Sequence, residues 1–132
     1  MLASEQNIQI KLVGDAVVQG DSVMLGRALA NLISNAVRYA DPGSVIDVVL
    51  SQVDHHAIID VTNQGVEIPL EHRPHLFDRF YRVEPERSHE GGVGLGLAIT
   101  RSIVEAHGGE IELANEIHKT CFRIWLPLSP KS

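Results

Sequence analysis

Between Asp21 and the Asp41-Pro42-Gly43 stop, apolar residues recur at helical spacing: Leu25, Ala28, Leu29, Leu32, Ile33, Ala36 and Val37. Successive helical residues turn by about 100°, so these seven form one stripe that has to face a core. Asp21 stands where an N-cap belongs, and Pro-Gly cannot continue a helix. A helix buried on one side needs a second layer. The flanking sequence supplies strands rather than more helices.

Ile8, Ile10 and Leu12 alternate with polar residues, as a half-buried strand requires. A second short strand is predicted at Ala16 to Gln19, after the Gly14-Asp15 turn. Val45 to Val53 and Ala57 to Thr62 read as two strands joined around Asp54-His55. A short helix is predicted after Pro69, running through Leu76. Residues Arg82 to Val93 are charged, aperiodic and rich in Pro and Gly, the composition of a mobile loop. A helix from Leu95 to Ala106 is closed by Gly108-Gly109. Strands at Glu110 to Ala114 and Thr120 to Pro127 end the order. Elements alternate without a regular βαβ repeat, which points to a mixed sheet with helices on one face.

Composition narrows the function. At 132 residues and 44% apolar content the chain is long enough for one domain with a real core. A net charge of −6 argues against a general nucleic-acid binder, and it means that a phosphate ligand must be met by local groups. The single cysteine, Cys121, excludes an internal disulfide framework. No apolar run reaches the length of a membrane span, and the start is not a signal peptide.

Two segments carry chemistry. Arg27, Asn31, Asn35 and Arg38 form a second stripe beside the apolar one on the first helix. Asparagine is a mediocre helix former, so a pair one turn apart in mid-helix is either tolerated on a partly exposed edge or supplies neutral oxygen ligands. Mg²⁺ takes oxygen donors and completes its shell with water and substrate phosphates. The second segment is GGVGLGLAI, Gly91 to Ile99, in which Gly92, Gly94 and Gly96 alternate before an amphipathic helix. Such a loop allows close backbone approach, and the helix start offers free N–H groups to an anion. The spacing is not G-x-G-x-x-G, and no GK[ST] follows. His72 and His75 flank Pro74, but no third metal ligand accompanies them.

Taken in order, ALANLISNAVRYA, VTNQGVEIP, LFDRFYR, GGVGLGLAI and TCFRIWLP resemble the boxes of the sensor histidine kinase catalytic domain, a Bergerat-type ATPase. The resemblance runs from about residue 8 to 128. It implies an α/β (α+β) two-layer sandwich, a mixed sheet of about five strands backed by three helices. It also implies ATP and Mg²⁺ as ligands. Asn35 would be the metal ligand, with Asn31 near metal and phosphates, Arg38 near the phosphates and Tyr39 against the nucleotide. Asn63, Gly65 and Ile68 would form the adenine turn. Phe80 would pack the base of the ATP lid beside Phe77, with Arg82 nearby. Gly92, Gly94, Leu95, Gly96 and Leu97 would follow the phosphate chain, and Thr120 would lie in the last box.

The sequence departs from the pattern in the adenine turn. Asp-x-Gly-x-Gly is replaced by Asn63-Gln64-Gly65-Val66-Glu67, and Lys119 stands before Thr120 where a glycine is usual. An Asp only accepts hydrogen bonds, whereas Asn63 can accept or donate. Together with LFDRFYRVEPER, this turn is most similar to the copper- and silver-sensing kinases. Hydrolysing relatives keep a glutamate four residues before the metal-binding asparagine. Here that position is Asn31, which cannot act as a general base.

Seven histidines are present: His55, His56, His72, His75, His89, His107 and His118. None sits in the H-E/D-x-R-T/S-P context of the family's phosphoacceptor helix. The resemblance therefore implies an excised catalytic domain, cytoplasmic in a bacterial inner-membrane sensor. Its partners would be its own dimerisation and phosphoacceptor domain and, indirectly, a response regulator, with no nucleic acid. The isolated domain would be monomeric and the full-length protein a homodimer. The alternatives are a nucleotide-sensing or interaction module without transferase activity, an ATPase, and an anti-sigma-factor serine kinase.

Overall fold

The computed structural model describes residues 7–65, 67–79, 96–114 and 118–128. Five strands form one sheet: β1 (Gln9–Gly14), β2 (Val45–Val53), β3 (His56–Gln64), β4 (Glu110–Leu113) and β5 (Lys119–Pro127), in spatial order β1-β2-β3-β5-β4. β1 pairs with β2 in parallel, and the remaining pairs are antiparallel, so the sheet is mixed. A parallel neighbour cannot be reached through a hairpin. The crossover from β1 to β2 is the long helix α1 (Ser22–Tyr39). The second helix, α2 (Gly96–Ala106), leads into β4.

The apolar stripe of α1 lies where its spacing puts it. Leu32 is fully buried with Ala28, Ala36 and Val37, against Ile46 and Val48 of β2, Val61 of β3 and Val104 of α2. On β3 and β5 the side chains alternate as the pleat dictates. Val61 and Phe122 face the helices, while Asp60 and Arg123 pair across the other face at 2.7 Å. The Asp60 carboxylate accepts from Arg123 and raises its pKa.

Helix ends follow the local rules. The Asp21 carboxylate accepts from the N–H groups of Val23 (3.0 Å) and Met24 (3.1 Å), as an N-cap does. At the end of α2, Gly108 takes φ +79°, its N–H reaches the Glu105 carbonyl, and the Gly109 N–H reaches that of Val104. This left-handed stop satisfies two orphan carbonyls and turns the chain into β4.

Three expectations change. β1 forms, but it is not half-buried: Ile10 and Leu12, read as its inward face, are 46% and 66% exposed, and only Ile8, just before the strand, is buried. Ala16 to Gln19 is not a strand. Ala16 and Val18 pack on the core while Val17 is 80% exposed, so the alternation is real, but the segment has no ladder partner. The short helix after Pro69 is a 3₁₀ helix, Leu70–His75, with the His72 N–H bonded to the Pro69 carbonyl three residues back. Pro74 lacks an N–H and keeps this element from continuing as an α-helix. The predicted loop from Arg82 to Val93 lies outside the described residues.

Candidate functional site

α1 and α2 lie antiparallel and are joined at three levels. The Asp21 N–H donates to His107 Nε2 (3.1 Å), whose Nδ1 is 2.8 Å from the Ile103 carbonyl. A backbone N–H can only donate, so Nε2 accepts and the ring proton sits on Nδ1. Midway, the fully buried Thr100 hydroxyl lies 3.5 Å from the Ala28 carbonyl and donates to Gly96 at 2.9 Å. At the far end, Asn31 Nδ2 donates to the Gly96 carbonyl (3.3 Å).

This last contact brings the two sequence signals together. The asparagine stripe of α1 is hydrogen-bonded to the first residue of the helix behind the glycine loop. Because Nδ2 is engaged with a carbonyl, the Asn31 oxygen remains an acceptor. Asn35, one turn on, is half-buried on the same edge. Arg38 follows, its guanidinium 5.8 Å from the Tyr39 ring centroid. Gly96 is exposed and Leu97 packs on the core.

The other end of the site is built where α1 stops against β3. Asn63 (2% exposed) and Thr120 (4%) stand opposite each other in the β3–β5 register, on the helix-facing side of the sheet. Asn63 Nδ2 reaches the Tyr39 carbonyl at 3.5 Å, and the Asp41 N–H bonds to the Gln64 carbonyl at 2.8 Å. Gly65 passes so close to α1 that a Cβ there would lie 2.5 Å from the Tyr39 oxygen. Only glycine allows that approach.

Neither the Asn63 carbonyl oxygen nor the Thr120 hydroxyl has a hydrogen-bond partner among the described residues. Buried polar atoms without partners are costly and rare in folded proteins. The two are ladder partners on one face of the sheet, a placement compatible with a ligand that has a polar edge.

Glu67 was read from sequence only as a missing glycine. Its carboxylate instead accepts from the His118 N–H (3.1 Å) and lies 3.8 Å from Arg73. Arg73 also donates through Nε to the Ile68 carbonyl (2.9 Å), and Ile68 packs on the core. Thr100 and His107 were likewise not singled out. A hydroxyl on the apolar face of α2, one turn after Gly96, was the available signal for Thr100.

Phe77 sits against Phe122, ring centroids 5.9 Å apart and edge to face, with Arg101 over it at 6.0 Å. Phe80, Arg82, Gly92, Gly94 and Leu95 lie outside the described residues. Among the described residues no group of three or more His, Cys, Asp or Glu side chains could hold a metal ion. No described helix is long and apolar enough to cross a membrane.

A mixed sheet backed by α1 and α2, with asparagines and a glycine-led helix at its rim, is a nucleotide-site architecture, and the comparisons give it a family. Residues 20–130 match the family described as histidine kinase-, DNA gyrase B- and HSP90-like ATPase, and the chain belongs to that family. Its relatives within it are sensor histidine kinases. It is 48% identical over 128 residues to sensor histidine kinase CusS of Escherichia coli (strain K12), covering 96% of this chain and 27% of that protein. It is 45% identical over 112 residues to the probable sensor kinase SilS of Salmonella typhimurium, covering 84% of this chain and 22% of that one.

Among solved structures, the mycobacterial sensor histidine kinase MprB superposes with a TM-score of 0.82 at 34% identity, over 98% of this chain and 90% of that one. The nucleotide-free catalytic domain of histidine kinase ThkA gives a TM-score of 0.83 at 27% identity, over 97% and 84%. The chain spans about a quarter of the length of the curated relatives it matches.

Proposed function

We propose that this chain is the ATP-binding catalytic domain of a sensor histidine kinase. It would hold Mg-ATP across the α1 face and donate the γ-phosphate to a histidine on a dimerisation and phosphoacceptor domain. The observation that carries the reading is the pair of buried polar atoms on Asn63 and Thr120 that have no hydrogen-bond partner among the described residues. They lie on β3 and β5 near the C-terminal end of α1, the helix whose Asn31 is tied to the start of α2.

In this reading the Asn63 oxygen accepts from the adenine amino group and the Thr120 hydroxyl faces the base. Gly65 and Ile68 shape the turn around it, beside the half-exposed Tyr39. Asn31 and Asn35 offer neutral oxygens to Mg²⁺, and Arg38 meets phosphate charge. When bound, Mg²⁺ supplies positive charge that neutralises the polyphosphate, and neutral ligands leave that charge largely intact. The N-terminus of α2 presents free N–H groups and a positive dipole end. Phe80, Arg82, Gly92, Gly94 and Leu95 complete the lid and phosphate loop.

Positioning and charge neutralisation are most of what phosphoryl transfer needs. In the transfer, the bond from the γ-phosphorus to the bridging oxygen breaks and ADP leaves with the electron pair. A nitrogen–phosphorus bond forms at the incoming histidine. Asn31 has no basicity with which to activate water, which favours a kinase over a hydrolase.

The reading extends to the whole protein. A response regulator would receive the phosphate, and the domain would lie on the cytoplasmic side of an inner-membrane, dimeric sensor. The resemblance of the adenine turn and LFDRFYRVEPER to the copper- and silver-sensing kinases motivates a metal-responsive sensor. The alternative, an interaction module without transferase activity, is motivated by the altered adenine turn and Lys119; the contacts of Glu67 with His118 and Arg73 support binding instead.

The test is to mix the chain with Mg-ATP and a separately made phosphoacceptor segment. Acid-labile phosphohistidine on the segment is the expected product. Nucleotide binding without any phosphohistidine would leave only the sensing role.

A further inference from the structure

We propose that Glu67 is a positioning residue for base recognition, acting as a brace that fixes the adenine turn against the entry to β5. The proposal rests on the reading of Asn63 and Thr120 as the base-binding pair. His118 is the link between the two. Its carbonyl accepts from the Gly65 N–H (3.1 Å), and its own N–H donates to the Glu67 carboxylate (3.1 Å). One residue of the β5 entry is thus gripped from both sides by the turn.

His118 has φ +60°, a left-handed conformation that a non-glycine residue adopts only at a cost. Two directed hydrogen bonds are a physical reason for it to stay there. Thr120 follows two residues later and stands opposite Asn63 in the ladder. The ladder sets the spacing of the two buried polar groups, and the bonds from Gly65 and Glu67 to His118 hold the end of that ladder from fraying.

A carboxylate beside the base end of a site for an anionic nucleotide, in a chain of net charge −6, is a liability unless it is neutralised. Arg73 does this. One guanidinium nitrogen lies 3.8 Å from Glu67 while Nε is held at 2.9 Å by the Ile68 carbonyl, so the arginine is anchored to the same turn it neutralises. Glu67 is 41% exposed and Arg73 29%, so the ion pair by itself contributes little. The geometry that it holds is what matters.

The experiment compares Glu67→Ala, Glu67→Gln and the parent chain for binding of Mg-ATP and Mg-GTP, with thermal unfolding recorded for each. Glu67→Ala is expected to weaken ATP binding about tenfold, the scale of one lost charge-assisted hydrogen bond. GTP binding should not change, so discrimination between the bases falls by the same factor. Glu67→Gln keeps an acceptor for the His118 N–H and should restore discrimination to within about twofold of the parent. Parent-like ATP affinity and discrimination in Glu67→Ala overturns the brace. Equal weakening of both nucleotides with a lowered unfolding midpoint also overturns it, because that marks a general structural role. A parent chain that binds ATP and GTP alike overturns the reading of the base pair itself.

Discussion

The Asn31 amide donates to the Gly96 carbonyl across 3.3 Å, so the stripe on α1 and the start of α2 are mechanically one unit. In the proposed function the amide's oxygen is the atom offered to metal or phosphate. Asn31→Ala should lower stability by about 1 kcal/mol, the net value of one such bond. It should weaken Mg-ATP binding about tenfold, because the oxygen is lost together with the anchor. Thermal unfolding and calorimetry measure the two effects separately. Unchanged ATP affinity would remove Asn31 from the site.

Asn63→Asp separates recognition from folding. A carboxylate is a pure acceptor, which suits an adenine amino group, so ATP binding should tighten modestly. The same change turns the bond from Nδ2 to the Tyr39 carbonyl, at 3.5 Å, into a contact between acceptors. Without nucleotide the variant should therefore lose about 1–3 kcal/mol. Denaturant titration of the free chain reads the loss, and calorimetry reads the affinity. A clear drop in affinity would show that the turn is built around the amide.

Gly65→Ala tests the close approach of the turn to α1. Its Cβ would meet the Tyr39 carbonyl at 2.5 Å, backbone against backbone, with no flexible group to move aside. A cost of about 1–3 kcal/mol follows from overpacking of this kind. ATP binding should weaken as well, since Asn63 and Asp41 are held through the same junction. Parent-like stability would mean that the two segments part easily.

Chelation should distinguish a ligand-borne metal from a structural one. No group of three or more His, Cys, Asp or Glu side chains that could hold an ion occurs among the described residues. Removing Mg²⁺ with EDTA should leave the unfolding midpoint of the nucleotide-free chain unchanged, while ATP binding weakens strongly. A fall in the midpoint without nucleotide would place a metal in the fold itself.

Much of this was legible in the sequence because it obeys short-range rules. The Asp21 cap, the Gly108 stop and the Leu32 face of α1 follow from spacing within a few residues. β2 and β3 lie close to their expected bounds, but Ala16 to Gln19 was misassigned, because an apolar segment after a turn does not report ladder pairing. The site was legible as a set of residue types and far less as contacts. Asn31 and Gly96 are 65 residues apart, and no local pattern says that an amide of one meets the carbonyl of the other. Glu67 could be read only as an absence. What it touches, His118 and Arg73, depends on how β5 enters the sheet.

The stripe on α1 also acts as a ruler. Asn31, Asn35 and Tyr39 follow one another at four-residue steps, and at about 1.5 Å per residue the first and last are separated by roughly 12 Å along the helix axis. Because Asn31 is pinned to α2 and the Tyr39 carbonyl to the base turn, neither mark can slide. Ligand length is thereby gauged against a rigid rod. A single-residue insertion between Asn35 and Tyr39 would rotate the base end by about 100° away from the phosphate end while removing no site residue from the chain.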